Sequence, residues 1–280
     1  MSHSAPAPDP AARTAPAPTR ADRLRQVVVS VSAPLAILGA MVGSGALGGD
    51  PMAEAAGGAF AADATHVAPA SPAFSIWSVI YLGLVAYAVW QWFPGQASAE
   101  RHRRVGYLVA GSMLLNAAWL LVVQAGWLAV SVVVMALLLG TLLIVAAILG
   151  RRAPTGAVDA IVTDGTMGLY LGWIVVATVA NVAAVLAEAG LRESVRTPDV
   201  WSVGVLALVG LVGCALALWD RGRLAPGVAI CWGLAWVGVA RLTGDLESVP
   251  AATAALAAAA VVALVTVVAR VRRSGATPRR

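Results

Sequence analysis

The chain has no lysine, little charge and almost no cysteine. All nineteen basic residues among its 280 are arginine, so Schiff-base chemistry on retinal or pyridoxal has no amine to use. Charged residues make up 12% of the chain, against about 25% in an ordinary soluble domain, and hydrophobic residues make up 60%, against about 45–50%. Those departures argue against a soluble enzyme, a fibrous protein and a largely disordered chain. Cys214 and Cys231 are too few for the disulfide framework of a secreted scaffold. Only three phenylalanines and four tyrosines accompany ten tryptophans, the reverse of the usual balance in lipid-facing helices.

Long apolar runs are plentiful. A helix needs about 20 apolar residues to cross the hydrocarbon core. Eight segments meet or approach that length: 27–48, 73–94, 105–124, 127–149, 166–187, 200–219, 226–242 and 250–270. The runs are continuous, not alternating, which disfavours a membrane barrel. The expected fold is therefore all-α, a polytopic membrane bundle of eight transmembrane helices. Residues 1–25, with Pro6, Pro8, Pro10, Pro16 and Pro18 among Ala, Ser and Arg, read as a disordered tail, and 272–280 as a basic tail. The run Gln26–Gly48 is long for the core of a signal peptide and reads as a retained helix.

Arginine placement sets the expected orientation. With both termini on one side, sixteen of the nineteen arginines fall on that side and three on the other. The expectation is a cell-membrane protein with both termini cytoplasmic. The basic excess reads as topology and contact with anionic membrane lipid. Nucleic acid is not an expected partner, because the loops are too short to build a base-reading surface.

Ionisable groups are scarce inside the spans. Spans 2, 3, 4 and 6 have none in their interiors, and Asp164 and Glu188 stand at the two ends of span 5. A pump, a charge-coupled antiporter and a zinc protease all lack their working parts. No catalytic residue, metal or cofactor is expected, and ordinary enzymatic catalysis is not.

The remaining chemistry is neutral. Trp90, Trp92, Trp127, Trp201 and Trp219 stand at span ends, as an interfacial belt requires, whereas Trp119, Trp173, Trp232 and Trp236 fall inside their spans. Phe74, Trp77 and Tyr81 are spaced three and four apart. Asn116 and Trp119 are three apart, and Trp173, Ala177 and Asn181 are four and four apart with Thr178 adjoining. In alternating spans these faces converge in the outer half of the bundle, beneath the long loop 49–72, which reads as a lid. Spacing alone leaves two readings open. One is an apolar ligand pocket with a few polar groups. The other is a packed bundle with Asn amides as interhelical glue, each worth about 0.6–2 kcal/mol.

Three segments carry a resemblance. Pro72–Tyr81 reads PAFSIWSVIY, Asn116–Trp119 reads NAAW, and Tyr170–Asn181 reads YLGWIVVATVAN. In order, spacing and helix assignment they resemble the TspO/MBR family, the tryptophan-rich sensory proteins. The resemblance spans residues 27–188 and implies a five-helix bundle over 26–188 whose first loop covers a ligand cavity. It further implies a large flat apolar ligand, such as a porphyrin or a sterol-like lipid, held by Phe74, Trp77, Tyr81, Asn116, Trp119, Trp173, Ala177 and Asn181. Sensor, carrier or scavenger are the roles it suggests; light-driven porphyrin degradation enters by resemblance only. The sequence departs from the family pattern in three extra spans over 189–271, in the VAPASPAF stretch ahead of the second span, and in Val122–Val123 after NAAW.

In the last three spans, Trp232 and Trp236 share a face, and Gly204, Gly210 and Gly213 favour close helix packing, as Gly39 and Gly43 do in span 1. Internal packing is the first expectation for these small residues, and a homodimer face the second. Cys214 and Cys231 sit at similar depth and read as apolar packers. No motif of the first half is echoed after residue 188, so no transporter-like repeat is expected. A small-solute or lipid permease with alternating access stands as the alternative function, supported only by Pro34 inside span 1.

Overall fold

A computed structural model describes residues 17–46, 51, 54–191 and 198–275. The expected tail up to residue 16, part of the lid, residues 192–197 and the last five residues lie outside the described set.

Eight long helices follow one another: α1 (Arg20–Gly43), α2 (Ile76–Trp90), α3 (Glu100–Gln124), α4 (Leu128–Gly150), α5 (Thr166–Leu186), α6 (Pro198–Trp219), α7 (Leu224–Thr243) and α8 (Val249–Gly275). All eight, with α2 counted from Ser71 to include the 3-10 turn that leads into it, are long and apolar enough to cross a membrane, and the described residues contain no strand.

Several boundaries differ from expectation for identifiable reasons. The expected tail over 1–25 is helical from Arg20 onward. Thr19 caps α1 in a reciprocal box: its hydroxyl accepts the Asp22 amide at 3.2 Å, and the Asp22 carboxylate accepts the Thr19 amide at 2.9 Å. The helix also ends before Gly48, because Gly45 turns into the left-handed region at φ +76. A short 3-10 turn, Ser71–Ser75, leads into α2, with Pro72 where its missing N–H is harmless. The fifth span starts early, at Ala157, and passes through a π-type turn over Ala160–Gly165 before α5 proper.

The first five helices close a ring. α1 packs on α3, α3 on α4, α4 on α5, α5 on α2, and α2 back on α1. The last three form a layer outside it: α7 docks on α5, α8 on α7, and α6 on α8. Small residues set these contacts. A Cβ added at Gly39 would lie 2.7 Å from the Ala117 Cβ, and one at Gly43 2.7 Å from Leu120, so this face of α1 is used inside the bundle against α3. On α5, a Cβ at Gly172 would collide with the Pro226 carbonyl, and on α7 one at Gly233 would lie 2.9 Å from Val176.

One end of the bundle carries most of the charge, on buried residues that lie just outside the expected spans. Asp22 is held by the Arg103 guanidinium through bonds of 2.8 and 2.7 Å. Arg101 spans Asp159 at 2.9 Å and Asp164 at 2.7 Å. Arg25 donates to the Ala97 carbonyl at 2.7 Å, and His102 lies 3.0 Å from Gln96. Asp22, Arg25, Arg101, His102 and Asp159 are all buried. These residues belong to helix ends, and the partners of Asp22, Arg25 and Arg101 lie 58 to 81 positions away in sequence.

Candidate ligand-binding site

The opposite end of the ring holds the aromatic and amide side chains singled out from sequence. Phe74 leaves the 3-10 turn and meets Trp173 of α5 edge to face, with centroids 5.7 Å apart. Trp77 stacks on Tyr81 at 5.3 Å and lies edge-on to Trp173 at 6.4 Å. Asn116 of α3 donates its amide to the Tyr81 hydroxyl at 2.7 Å. One turn along α3, the Trp119 indole donates to the Asn181 side-chain carbonyl at 3.2 Å. Ala177 lies on α5 between Trp173 and Asn181 and packs half-buried against the core, contributing no polar atom. The neighbouring Thr178 hydroxyl is spent on the Ile174 carbonyl of its own helix, 2.6 Å away. All eight positions thus fall on faces that meet, with Asn116 and Asn181 each about 1% exposed.

Local sequence explains the convergence. Ser75 donates to the Pro72 carbonyl at 2.8 Å and steadies the turn that aims Phe74 inward. Gly83 lets α2 approach α5 so closely that an added Cβ would lie 2.7 Å from Thr166 Cγ2. Each aromatic pair of this kind adds about 0.5–1.5 kcal/mol beyond its burial.

The hydrogen bonding is incomplete. Asn116 Oδ1, Asn181 Nδ2 and Trp173 Nε1 are buried and have no hydrogen-bond partner among the described residues. They offer one acceptor and two donors from α3 and α5. None of the eight residues bears a charge at neutral pH. What they can do chemically is stack on a flat apolar surface and hydrogen-bond its polar substituents.

Sequence reasoning missed several members. Tyr170 is fully buried, meets Trp77 edge-on at 5.8 Å and donates to the Ser112 carbonyl at 3.0 Å. It lies in the quoted YLGW segment, so its signal was present. The Ser131 hydroxyl of α4 lies 3.1 Å from Asn181 Oδ1. A serine at the start of an apolar run gives no hint of this. From the lid, Phe60 meets Trp119 edge to face at 5.9 Å.

The lid is also gripped from α7. The Trp232 indole donates to the Ala73 carbonyl at 2.9 Å, and the Ala70 amide donates to the Trp236 carbonyl at 3.2 Å. Arg241, buried at the end of α7, donates to the Ala62 carbonyl. The pairing of Trp232 and Trp236 on one face was visible in sequence, but the loop they hold was not.

Two cavities lie elsewhere. A groove of about 610 Å³ runs between α1 and α2, lined by Ala33, Pro34, Ile37, Val85 and Trp92 among others. A recess of about 180 Å³ opens at the arginine-rich end. Neither contains any of the eight residues, whose rings touch one another directly. Among the described residues no group of three or more His, Cys, Asp or Glu is placed to hold a metal ion. Cys214 and Cys231 are both free thiols, and Cys231 lies 3.3 Å from the Ala259 carbonyl.

With this geometry in place, the comparison with known proteins is decisive at the level of family. Residues 30–268 match the family described as TSPO-like protein. The chain belongs to that family. The match runs from α1 into α8, so the last three helices of this TSPO-like chain lie within the family's extent, whereas the resemblance carried by motif residues ended at residue 188. No curated protein and no solved structure matches the chain.

Proposed function

We propose that this TSPO-like membrane protein binds a large, flat, apolar ring compound, a porphyrin or a sterol-like lipid, among Phe74, Trp77, Tyr81, Asn116, Trp119, Trp173, Ala177 and Asn181. It acts as a sensor, carrier or scavenger in the cell membrane, with the arginine-rich end cytoplasmic. One observation carries the reading: three buried polar atoms without partners sit within one aromatic cluster. An unsatisfied buried polar group costs about 1–3 kcal/mol. An interhelical polar contact in a membrane returns only about 0.6 kcal/mol on average. Asn116 and Asn181 are therefore poor investments as glue alone. A ligand that offers a donor to Asn116 Oδ1 and acceptors to Asn181 Nδ2 and Trp173 Nε1 removes the penalty. Because the rings touch, binding parts them and lifts the lid with its Phe60.

The test is a titration of purified protein with a porphyrin, followed by porphyrin absorbance, in wild type and in a W77F/W119F/W173F variant. The expected outcome is saturable binding weakened at least tenfold in the variant. Equal affinity in the two proteins would overturn the reading.

A further inference from the structure

We propose that the recess at the arginine-rich end, bounded by α4, α5, α7, α8 and the α6–α7 turn, is a binding site for the phosphate headgroup of an anionic membrane lipid.

The recess, about 180 Å³, is lined by Arg151, Arg221, Arg223 and Arg273 and by only two carboxylates, Asp164 and Asp220. One of those carboxylates, Asp164, is already committed. Asp164 is shared between Arg101 at 2.7 Å and Arg223 at 3.1 Å. Asp220 accepts the backbone amide of Arg223 at 3.0 Å through Oδ1, while its buried Oδ2 has no hydrogen-bond partner among the described residues. Arg223 is spent in turn, since it also donates to the Leu149 carbonyl at 2.9 Å. Arg151, Arg221 and Arg273 remain, from three different elements, with no carboxylate within ion-pair distance among the described residues. Three guanidinium groups around one small recess form a fork set for tetrahedral phosphate oxygens.

The backbone supports this placement. Arg221 adopts φ +62, a left-handed conformation that residues with side chains rarely take. Gly222 follows at φ +72 and lies so close to Arg270 and Thr266 of α8 that no Cβ fits. The turn is thus clamped against α8, and Arg221 lines the same recess as Arg273.

The remaining lining favours a lipid over a free ion. Ala146, Ala147, Met167 and Leu171 form an apolar wall, and Trp219 stands at the rim, 52% exposed, where an interfacial indole belongs. Basic recesses between membrane helices are suited to anionic headgroups whose tails lie along the helices.

The full chain, purified in detergent, is exchanged into vesicles of phosphatidylcholine with or without one-fifth phosphatidylglycerol, re-extracted, and its retained lipid counted by native mass spectrometry. The expected result is preferential retention of phosphatidylglycerol, reduced about tenfold in R221Q/R273Q and also lowered in R151Q. R272Q, which changes an exposed arginine outside the recess, is expected to retain it as wild type does. Circular dichroism is expected to show the same helix content throughout, because none of the removed groups forms a direct ion pair with a carboxylate among the described residues. Equal retention of the two lipids overturns the proposal, as does an equal loss in R272Q, which marks generic surface charge. Displacement of the lipid by millimolar inorganic phosphate assigns the recess to a free anion and overturns the proposal as well.

Discussion

The two ends of the ring solve opposite problems with different chemistry. At the arginine-rich end, the buried charges Asp22, Arg101 and Asp159 have partners within 2.7–2.9 Å. At the lid end there is no formal charge among the site residues, and three of their polar atoms have no hydrogen-bond partner among the described residues; at the other end Arg25 Nε, Arg101 Nε and His102 Nδ1 are likewise unpartnered, but the groups that bear them are held through their other atoms. A charge in a low-dielectric interior is tolerated only when paired. A neutral amide leaves a smaller penalty, one that a ligand can relieve. The contrast is therefore one of charge, with paired carboxylates and guanidinium groups at one end and neutral amides and indoles at the other.

The largest expected effect comes from breaking the charged end. Arg101→Ala removes the guanidinium partner of the buried Asp159 and leaves Asp164 with Arg223 alone, and removing one partner of a buried pair costs about 3–5 kcal/mol. A sharp fall in folded yield and in thermal midpoint is expected in detergent. The neutral end should respond differently. Asn116→Leu gives up one bond to Tyr81 worth about 1 kcal/mol but also removes an unpartnered carbonyl that costs about 1–3 kcal/mol. Its midpoint is expected to stay near or above the wild-type value, even as ligand affinity falls. A large loss of stability in Asn116→Leu would make the amide structural and erase the contrast.

A smaller effect probes the link between the outer layer and the lid. Arg241→Met removes the bond to Ala62 and is expected to raise hydrogen exchange in the lid around residues 58–66, with the exchange of α3 and α5 unchanged. The smallest effect concerns the α6–α7 turn. Burial pushes the Asp220 carboxyl from near 3.8 up to about 6. A folded-state value above the unfolded one favours the fold while the group is protonated. That contribution is lost as pH rises from about 4 through about 6 and changes no further above it. Asp220→Asn keeps an acceptor for the Arg223 amide. It is expected to flatten the wild-type decline in thermal midpoint between pH 4 and pH 7, which a pH series of melting curves would show.

How legible was this in the sequence? The eight spans were, because a run of apolar residues has no other stable use. So were the stripes Phe74–Trp77–Tyr81 and Trp173–Ala177–Asn181, because helical periodicity fixes which residues share a face. Periodicity does not say which face meets which. Asp22 with Arg103, and Arg101 with Asp159, join residues 81 and 58 positions apart, so these polar helix ends read as tail and loop. Ser131 and Arg241 were illegible for the same reason, since each acts through a partner on another element. The reach of the family into the last three helices was also hidden, because none of the three motif segments lies there.

The central claim is tested most directly by photo-crosslinking with a diazirine-bearing sterol, followed by peptide mapping. Labelling is expected on the segments of α2, α3 and α5 that carry Trp77, Asn116 and Asn181, and it is expected to be competed by excess porphyrin. Labelling confined to the groove between α1 and α2, around Pro34 and Trp92, would contradict the account and move the ligand to a lipid-facing surface.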